Sequence, residues 1–169
     1  MIERVHFDAA RAMPVLLEWL PRVSNERVRE AMVRHLALKT RDSQPADTLI
    51  QEYRRAGSPN YKWVVASSLA FACTRQHFAA ITELAADRTQ GTGRQPLIEM
   101  LWRIKTLAAD QLLLDALDCP DTALAAMSAL RRRLGNADAR LHITPLLSHP
   151  DQRVSRAARQ HLQRIDKRT

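Results

Sequence analysis

The sequence has few of the residues that build disulfide frameworks and tight turns. Among its 169 residues are two cysteines and four glycines, and aromatic residues make up 5%. Two cysteines do not form the disulfide framework of a small secreted scaffold, which favours a reduced, cytoplasmic protein. Few glycines leave few turns that need positive φ, and β-branched or aromatic runs are short. We therefore predict an all-helical protein.

Long apolar runs are missing as well. The longest weakly polar stretch runs from Trp63 to Cys73 and includes two serines, whereas a membrane-spanning helix needs ~18 apolar residues. Glu3, Arg4 and Asp8 come before any apolar stretch, which is unlike a secretory signal. We expect a soluble protein with no membrane partner.

The usual catalytic and metal-binding patterns are also lacking. The six histidines show no i, i+4 pair and no His-Glu dipeptide, and the cysteines have no CxxC or Cys/His spacing. Zinc sites and carboxylate-rich iron sites need such groupings. Residues 90–94 contain two glycines but lack the Lys-Ser/Thr pair of a phosphate-binding loop. We expect no catalytic residue, no metal and no cofactor.

What the sequence does contain is a leucine that returns at a nearly constant interval. The register leucines are Leu36, Leu69, Leu101, Leu130 and Leu162, separated by 33, 32, 29 and 32 residues. Sixteen positions before them stand Leu20, Tyr53, Ala85, Leu114 and Leu146. A register kept along a whole chain is typical of stacked two-helix units, because each unit buries its apolar face against the next.

The sequence pattern of each of the five units predicts a first helix (helix A), a short turn and a second helix (helix B). Ser24 or Asn25 can cap the first B helix by accepting a free backbone N–H. Ser58 followed by Pro59 predicts the start of the second B helix, since the first helical position has no N–H bond to lose. Pro145 falls inside the fifth helix A and should kink it.

The turns resemble those of a known repeat family. The segments NERVREA at residues 25–31 and HPDQRVSRAA at residues 149–158 share a turn that ends in Asn or Pro-Asp, followed by an apolar residue with a base beside it. Over residues 12–167 the chain resembles HEAT repeats, in the short form often called HEAT-like or phycocyanobilin-lyase-type. The pattern departs in unit four, where Thr122 and Ala123 replace the apolar-basic pair.

The resemblance implies a right-handed α-α superhelix (solenoid) of about five antiparallel helix pairs, with the B helices on the concave face. We expect a single HEAT-like domain over residues 12–169 after an N-terminal extension over residues 1–11. HEAT-like proteins are mostly scaffolds for protein partners, so we expect a bacterial, non-enzymatic adaptor. The alternative is a nucleic-acid-binding module, with or without alkylpurine-glycosylase chemistry, that acts through its basic C-terminal end.

The net charge of +8 is concentrated at that end. Residues 131–169 contain ten basic and three acidic groups, whereas residues 1–130 contain sixteen and fifteen. The C-terminal basic cluster consists of Arg131, Arg132, Arg133, Arg153, Arg156, Arg159, Arg164, Lys167 and Arg168. Two interpretations stay open: a surface that binds phosphates, and a polar outer face on the last repeat.

Three bases and two tryptophans are further candidates for binding. Arg29, Lys62 and Arg94 stand at equivalent places, 33 and 32 residues apart. These repeat bases could meet an acidic partner or phosphates. The interpretation we favour is structural, because HEAT repeats use such a base to bond turn carboxylates or carbonyls of the neighbouring unit. Trp63 and Trp102 lie on B helices, where an aromatic ring either anchors a partner or, as we favour, fills space between units.

Overall fold

The computed structural model describes residues 9–38 and 42–167, and within them the chain is helical throughout, without a strand. This confirms the all-α prediction. The helices are α1 (Ala9–Trp19), α2 (Glu26–His35), α3 (Gln44–Arg55), α4 (Pro59–Ala72), α5 (Phe78–Ala86), α6 (Gln95–Met100), α7 (Leu107–Asp115), α8 (Ala123–Leu134), α9 (Asn136–Ile143) and α10 (Gln152–Asp166). None of these described helices is long and apolar enough to cross a membrane.

The helices follow the five predicted pairs in order. Odd-numbered helices occupy the A positions and even-numbered helices the B positions. Short 3₁₀ segments, Leu20–Arg22, Leu101–Arg103 and Thr144–Ser148, continue α1, α6 and α9. Helix α1 already begins at Ala9, within the predicted N-terminal extension, whose residues 1–8 lie outside the described residues. Arg168 of the basic cluster also lies outside them.

The chain divides into two compact units, Met1–His77 and Phe78–Thr169. In the first unit, α2 and α3 both pack against α4. In the second unit the B helices pack in sequence order, α6 against α8 and α8 against α10, while α5 packs against α6 and α7. Contact between successive B helices is the packing that stacked helix pairs need. The superhelical twist and the single domain stay predictions.

The register leucines lie in the core of both units. All five are between 0% and 8% exposed. Their helix A partners are buried too, with the exception of Leu114, which is half-buried while Leu113 is fully buried. In the fourth helix pair the two buried leucines, Leu113 and Leu130, are therefore seventeen positions apart instead of sixteen. Because a helix turns by about 100° per residue, that one-residue difference moves Leu114 to the flank of α7.

Local signals set the ends of the helices as expected. The Asn25 side chain accepts two backbone N–H bonds, at 3.0 and 3.3 Å, so Asn25 and not Ser24 caps α2. Ser58 accepts one bond, at 3.2 Å, at the start of α4. At Pro145 the α-helix gives way to the 3₁₀ segment Thr144–Ser148, because proline has no N–H for an i→i−4 bond.

Candidate functional site

Two of the repeat bases are tied to the helix A of their own pair. Lys62 Nζ donates to the backbone oxygen of Tyr53 at 3.2 Å, and Arg94 Nη1 donates to that of Ala85 at 2.8 Å. In both pairs the acceptor lies nine positions earlier, on the helix A residue that stands sixteen positions before the register leucine. The equivalent bases therefore make equivalent hydrogen bonds in two successive pairs. Arg94 is 1% exposed. These placements favour the structural interpretation, with acceptors in the same pair and not in the neighbouring unit.

Arg29, the third repeat base, belongs to a buried ionic cluster. Its guanidinium pairs with Glu52, which is fully buried, and lies 5.2 Å from the centre of the Tyr61 ring. Glu52 also accepts bonds from Arg55 at 2.5 Å and from the Tyr61 hydroxyl at 2.6 Å. Burial and the bond to Glu52 raise the pKa of Tyr61 well above its usual value. The cluster links α2, α3 and α4.

The two tryptophans have different surroundings. Trp63 on α4 is 42% exposed, and Phe71, two turns later on the same helix, is 61% exposed. Trp102 follows α6 and is half-buried. The guanidinium of Arg132 lies 6.0 Å from the centre of the Trp102 ring, which places a cation against its face. Trp63 is thus the more accessible of the two rings.

The three consecutive arginines of α8 do not form one basic patch. Arg133 makes two bonds to the Asp110 carboxylate, at 2.8 and 2.9 Å. Arg132 is exposed but pairs with Glu99 at 3.3 Å. Arg131 is half-buried. Successive helical residues point about 100° apart, so adjacency in the sequence separates these side chains in space.

The outer side of α10 keeps the C-terminal charge. Exposed basic residues of this segment are Arg153, Arg156, Arg159, Arg164 and Lys167. Arg153, Arg156 and Arg164 lie off the apolar stripe of Val154, Ala158, Leu162 and Ile165, which is buried, and this accounts for their exposure. Arg153 pairs with Asp121 at 3.5 Å and with Asp151 at 3.2 Å. The other four make no ion pair with the part of the chain that the structure describes.

A cleft of about 260 Å³ lies beside Arg153 and Arg156, where α6, α8 and α10 begin. Its apolar lining comes from Pro120, Ala123, Leu124 and Ala157, and its polar lining from Gln95, Asp121, Arg153, Arg156 and Gln160. Leu124 is 52% exposed. The cleft brings together two of the predicted binding residues, Arg153 and Arg156. Sequence reasoning missed Leu124, because an isolated leucine at a helix start gives no periodic signal of exposure.

Contacts around the cleft hold its polar groups in place. The Asp151 side chain accepts the backbone N–H of Arg153 at 2.7 Å and so caps α10. Hydrogen bonds from the Arg153 side chain and backbone lower the pKa of the Asp151 carboxyl below its usual value. On the other side, Gln95 Nε2 donates to the backbone oxygen of Asp121 at 2.5 Å. The start of α6 is thereby joined to the turn before α8.

Cys119 stands directly before the cleft residues in that turn. Burial raises the pKa of its thiol, but hydrogen bonds from the Thr122 side chain, the Asp121 backbone N–H and the Arg94 guanidinium outweigh burial. The pKa therefore lies below its usual value. Arg94, though internal, thus affects the chemistry of a partly exposed side chain.

Comparisons with known proteins return no relative for this chain. No family model, no curated protein and no solved structure matches it. Within residues 9–38 and 42–167, no group of three or more His, Cys, Asp or Glu is placed to hold a metal ion. Membership of the HEAT-like family is therefore a proposal.

Proposed function

We propose that the chain is a non-enzymatic adaptor of the HEAT-like type that binds a protein partner on the B helices of the unit Phe78–Thr169. The cleft at the start of α6, α8 and α10 supports this most directly. It combines an exposed leucine with two arginines, and arginine is enriched among the residues that dominate protein-binding energy. We place the adaptor in the bacterial cytoplasm; its two cysteines are free thiols, as in a reducing compartment.

Other exposed leucines provide a comparison. Leu107 on α7 is 89% exposed and Leu141 on α9 is 72% exposed, and both helices occupy A positions. Single exposed leucines are ordinary on protein surfaces. Leu124 differs from them because it lines a cleft with charged groups.

The adaptor proposal is tested by photo-crosslinking in the cells that produce the protein. A photoreactive phenylalanine analogue replaces Leu124 in one variant and Leu141 in a matched control. We expect a discrete protein adduct from position 124 and none from position 141. Equal adducts from both positions, or none from either, would contradict binding through the B helices.

A nucleic-acid-binding module is the second candidate, because α10 and Lys167 directly after it carry four exposed bases without an acidic partner among the described residues. If those bases bind phosphates, the affinity for a random duplex should fall linearly with salt on logarithmic axes. The slope of the logarithm of the association constant against the logarithm of the salt concentration should be about −0.9 for each base that contacts a phosphate. The Arg159→Gln, Arg164→Gln double variant should make this slope less negative by about 2. Fluorescence anisotropy measures this, and no binding at low salt removes the candidate.

A further inference from the structure

The charges of the cleft are not balanced. Arg153 has two carboxylate partners, Asp121 and Asp151. Arg156, one turn further along α10, lines the same cleft and is exposed without an ion-pair partner among the described residues. A guanidinium in that position favours a carboxylate, which it can bind through two parallel hydrogen bonds.

The apolar lining and the size of the cleft further restrict which ligand it can bind. Leu124 and Ala157 offer a surface for a large apolar side chain, since buried apolar area is favourable at roughly 25 cal/mol per Å². A volume of about 260 Å³ accommodates one or two side chains and not a nucleic-acid duplex. Nucleic acid is therefore a poor occupant of this cleft.

We propose that the cleft binds an extended peptide segment of a protein partner in which an acidic residue stands next to a large apolar residue. The carboxylate pairs with Arg156, and the apolar side chain packs against Leu124 and Ala157. Gln160, one turn beyond Arg156, supplies an amide donor and acceptor for the peptide backbone. This inference rests on the proposed adaptor function and specifies the chemistry of its partner.

Fluorescence anisotropy with short labelled peptides tests the inference. The probe is Gly-Glu-Leu-Gly-Glu-Leu-Gly, and two control peptides carry Lys in place of Glu or Ser in place of Leu. We expect the probe to bind at least about tenfold more tightly than either control, a difference equal to about 1.4 kcal/mol. Similar affinities for all three peptides would contradict the inference.

Matched variants locate the binding. Arg156→Gln should weaken binding of the probe about tenfold, whereas Arg159→Gln, which removes the same charge from an exposed position outside the cleft lining, should leave it unchanged. Leu124→Ser should also weaken binding, and Leu107→Ser should not. Urea unfolding of each variant confirms that these exposed substitutions leave the fold intact.

Four outcomes would overturn the inference. Equal loss in Arg156→Gln and Arg159→Gln would mean diffuse charge attraction. Displacement of the probe by a single-stranded oligonucleotide of equal charge would assign the cleft to nucleic acid. Absence of probe binding, with the cross-link at position 124 still formed, would reject this partner chemistry and leave the adaptor function standing. Absence of both would reject both.

Discussion

Arg94 and Arg156 illustrate, at the scale of the residue, how surroundings decide the role of a side chain. Both are candidates for binding in the sequence, although the interpretation favoured for Arg94 is structural. Arg94 is enclosed, and its guanidinium bonds to the Ala85 carbonyl, whereas Arg156 is exposed beside an apolar cleft. The sequence alone does not distinguish these two arginines, because residue type and spacing do not report solvent exposure.

His161 predicts a pH dependence of stability. It is 1% exposed, and neither ring nitrogen has a hydrogen-bond partner among the described residues. Burial, together with the charges of Arg131 and Arg164, lowers its pKa from 6.5 to about 4. Between those values the unfolded chain binds a proton that the folded chain does not. The free energy of unfolding is therefore unaffected by this titration above pH 6.5, and it falls by up to ~3 kcal/mol as the pH drops toward 4.

The His161→Leu variant tests that dependence, because leucine does not titrate. Urea unfolding at pH 7 and at pH 4.5 should show a smaller loss of unfolding free energy in the variant than in the parent protein. Equal losses would mean that His161 does not contribute to the acid sensitivity.

Cys119 predicts a difference in reactivity between the two thiols. Its pKa is lowered and it is partly exposed, whereas Cys73 is buried. A thiolate is the reacting species, so lower pKa and better access both increase the rate. In the Cys73→Ser variant the remaining thiol should react with an aromatic disulfide reagent at least about tenfold faster at pH 7 than in the Cys119→Ser variant. Similar rates would contradict the assigned environment of Cys119.

At the scale of the helix, the pairs were predictable and the buried charge was not. Caps such as Asn25 and Ser58 act on neighbouring residues, so their effect is visible in the sequence. Glu52 is fully buried, yet a glutamate is ordinarily counted as exposed. Its partner Arg29 lies 23 residues away on another helix. Helical periodicity does not reveal a contact over that distance, and so the cluster and the cleft both escaped sequence analysis.

The Glu52 cluster predicts unequal effects of removing its charges. Glu52→Gln should cost ~3–5 kcal/mol of unfolding free energy, because it leaves the partly buried Arg29 guanidinium without its counter-ion. Arg55 is about half exposed, so Arg55→Gln should cost only ~0–1 kcal/mol. Urea melts of the two variants provide the comparison, and equal costs would mean that the cluster does not stabilise α2, α3 and α4 as described.

At the scale of the whole molecule, the register runs through both compact units. Leu36 and Leu69 are buried in Met1–His77, and Leu101, Leu130 and Leu162 are buried in Phe78–Thr169. A repeated core of this kind derives its stability from each pair and from the contacts between neighbouring pairs. The charge is distributed differently, since the unpaired bases of the described C-terminal segment gather on α10.

The repeated core predicts that the cost of a cavity depends on position. Leu101 is fully buried, and Leu101→Ala should cost ~2–5 kcal/mol because a cavity replaces the side chain. Leu162 is 8% exposed on α10, which packs against α8 and α9, so Leu162→Ala should cost less. Urea unfolding gives both values. Equal costs would contradict a stack of helix pairs.

We propose that a partner protein occupies the cleft at the start of α6, α8 and α10. Competition with the photo-crosslink at position 124 checks this binding, using an excess of the Glu-Leu peptide and of its lysine counterpart. We expect the Glu-Leu peptide to suppress the protein adduct and the lysine peptide to leave it unchanged. An adduct that persists unchanged under both peptides, or that forms equally from position 141, would contradict it.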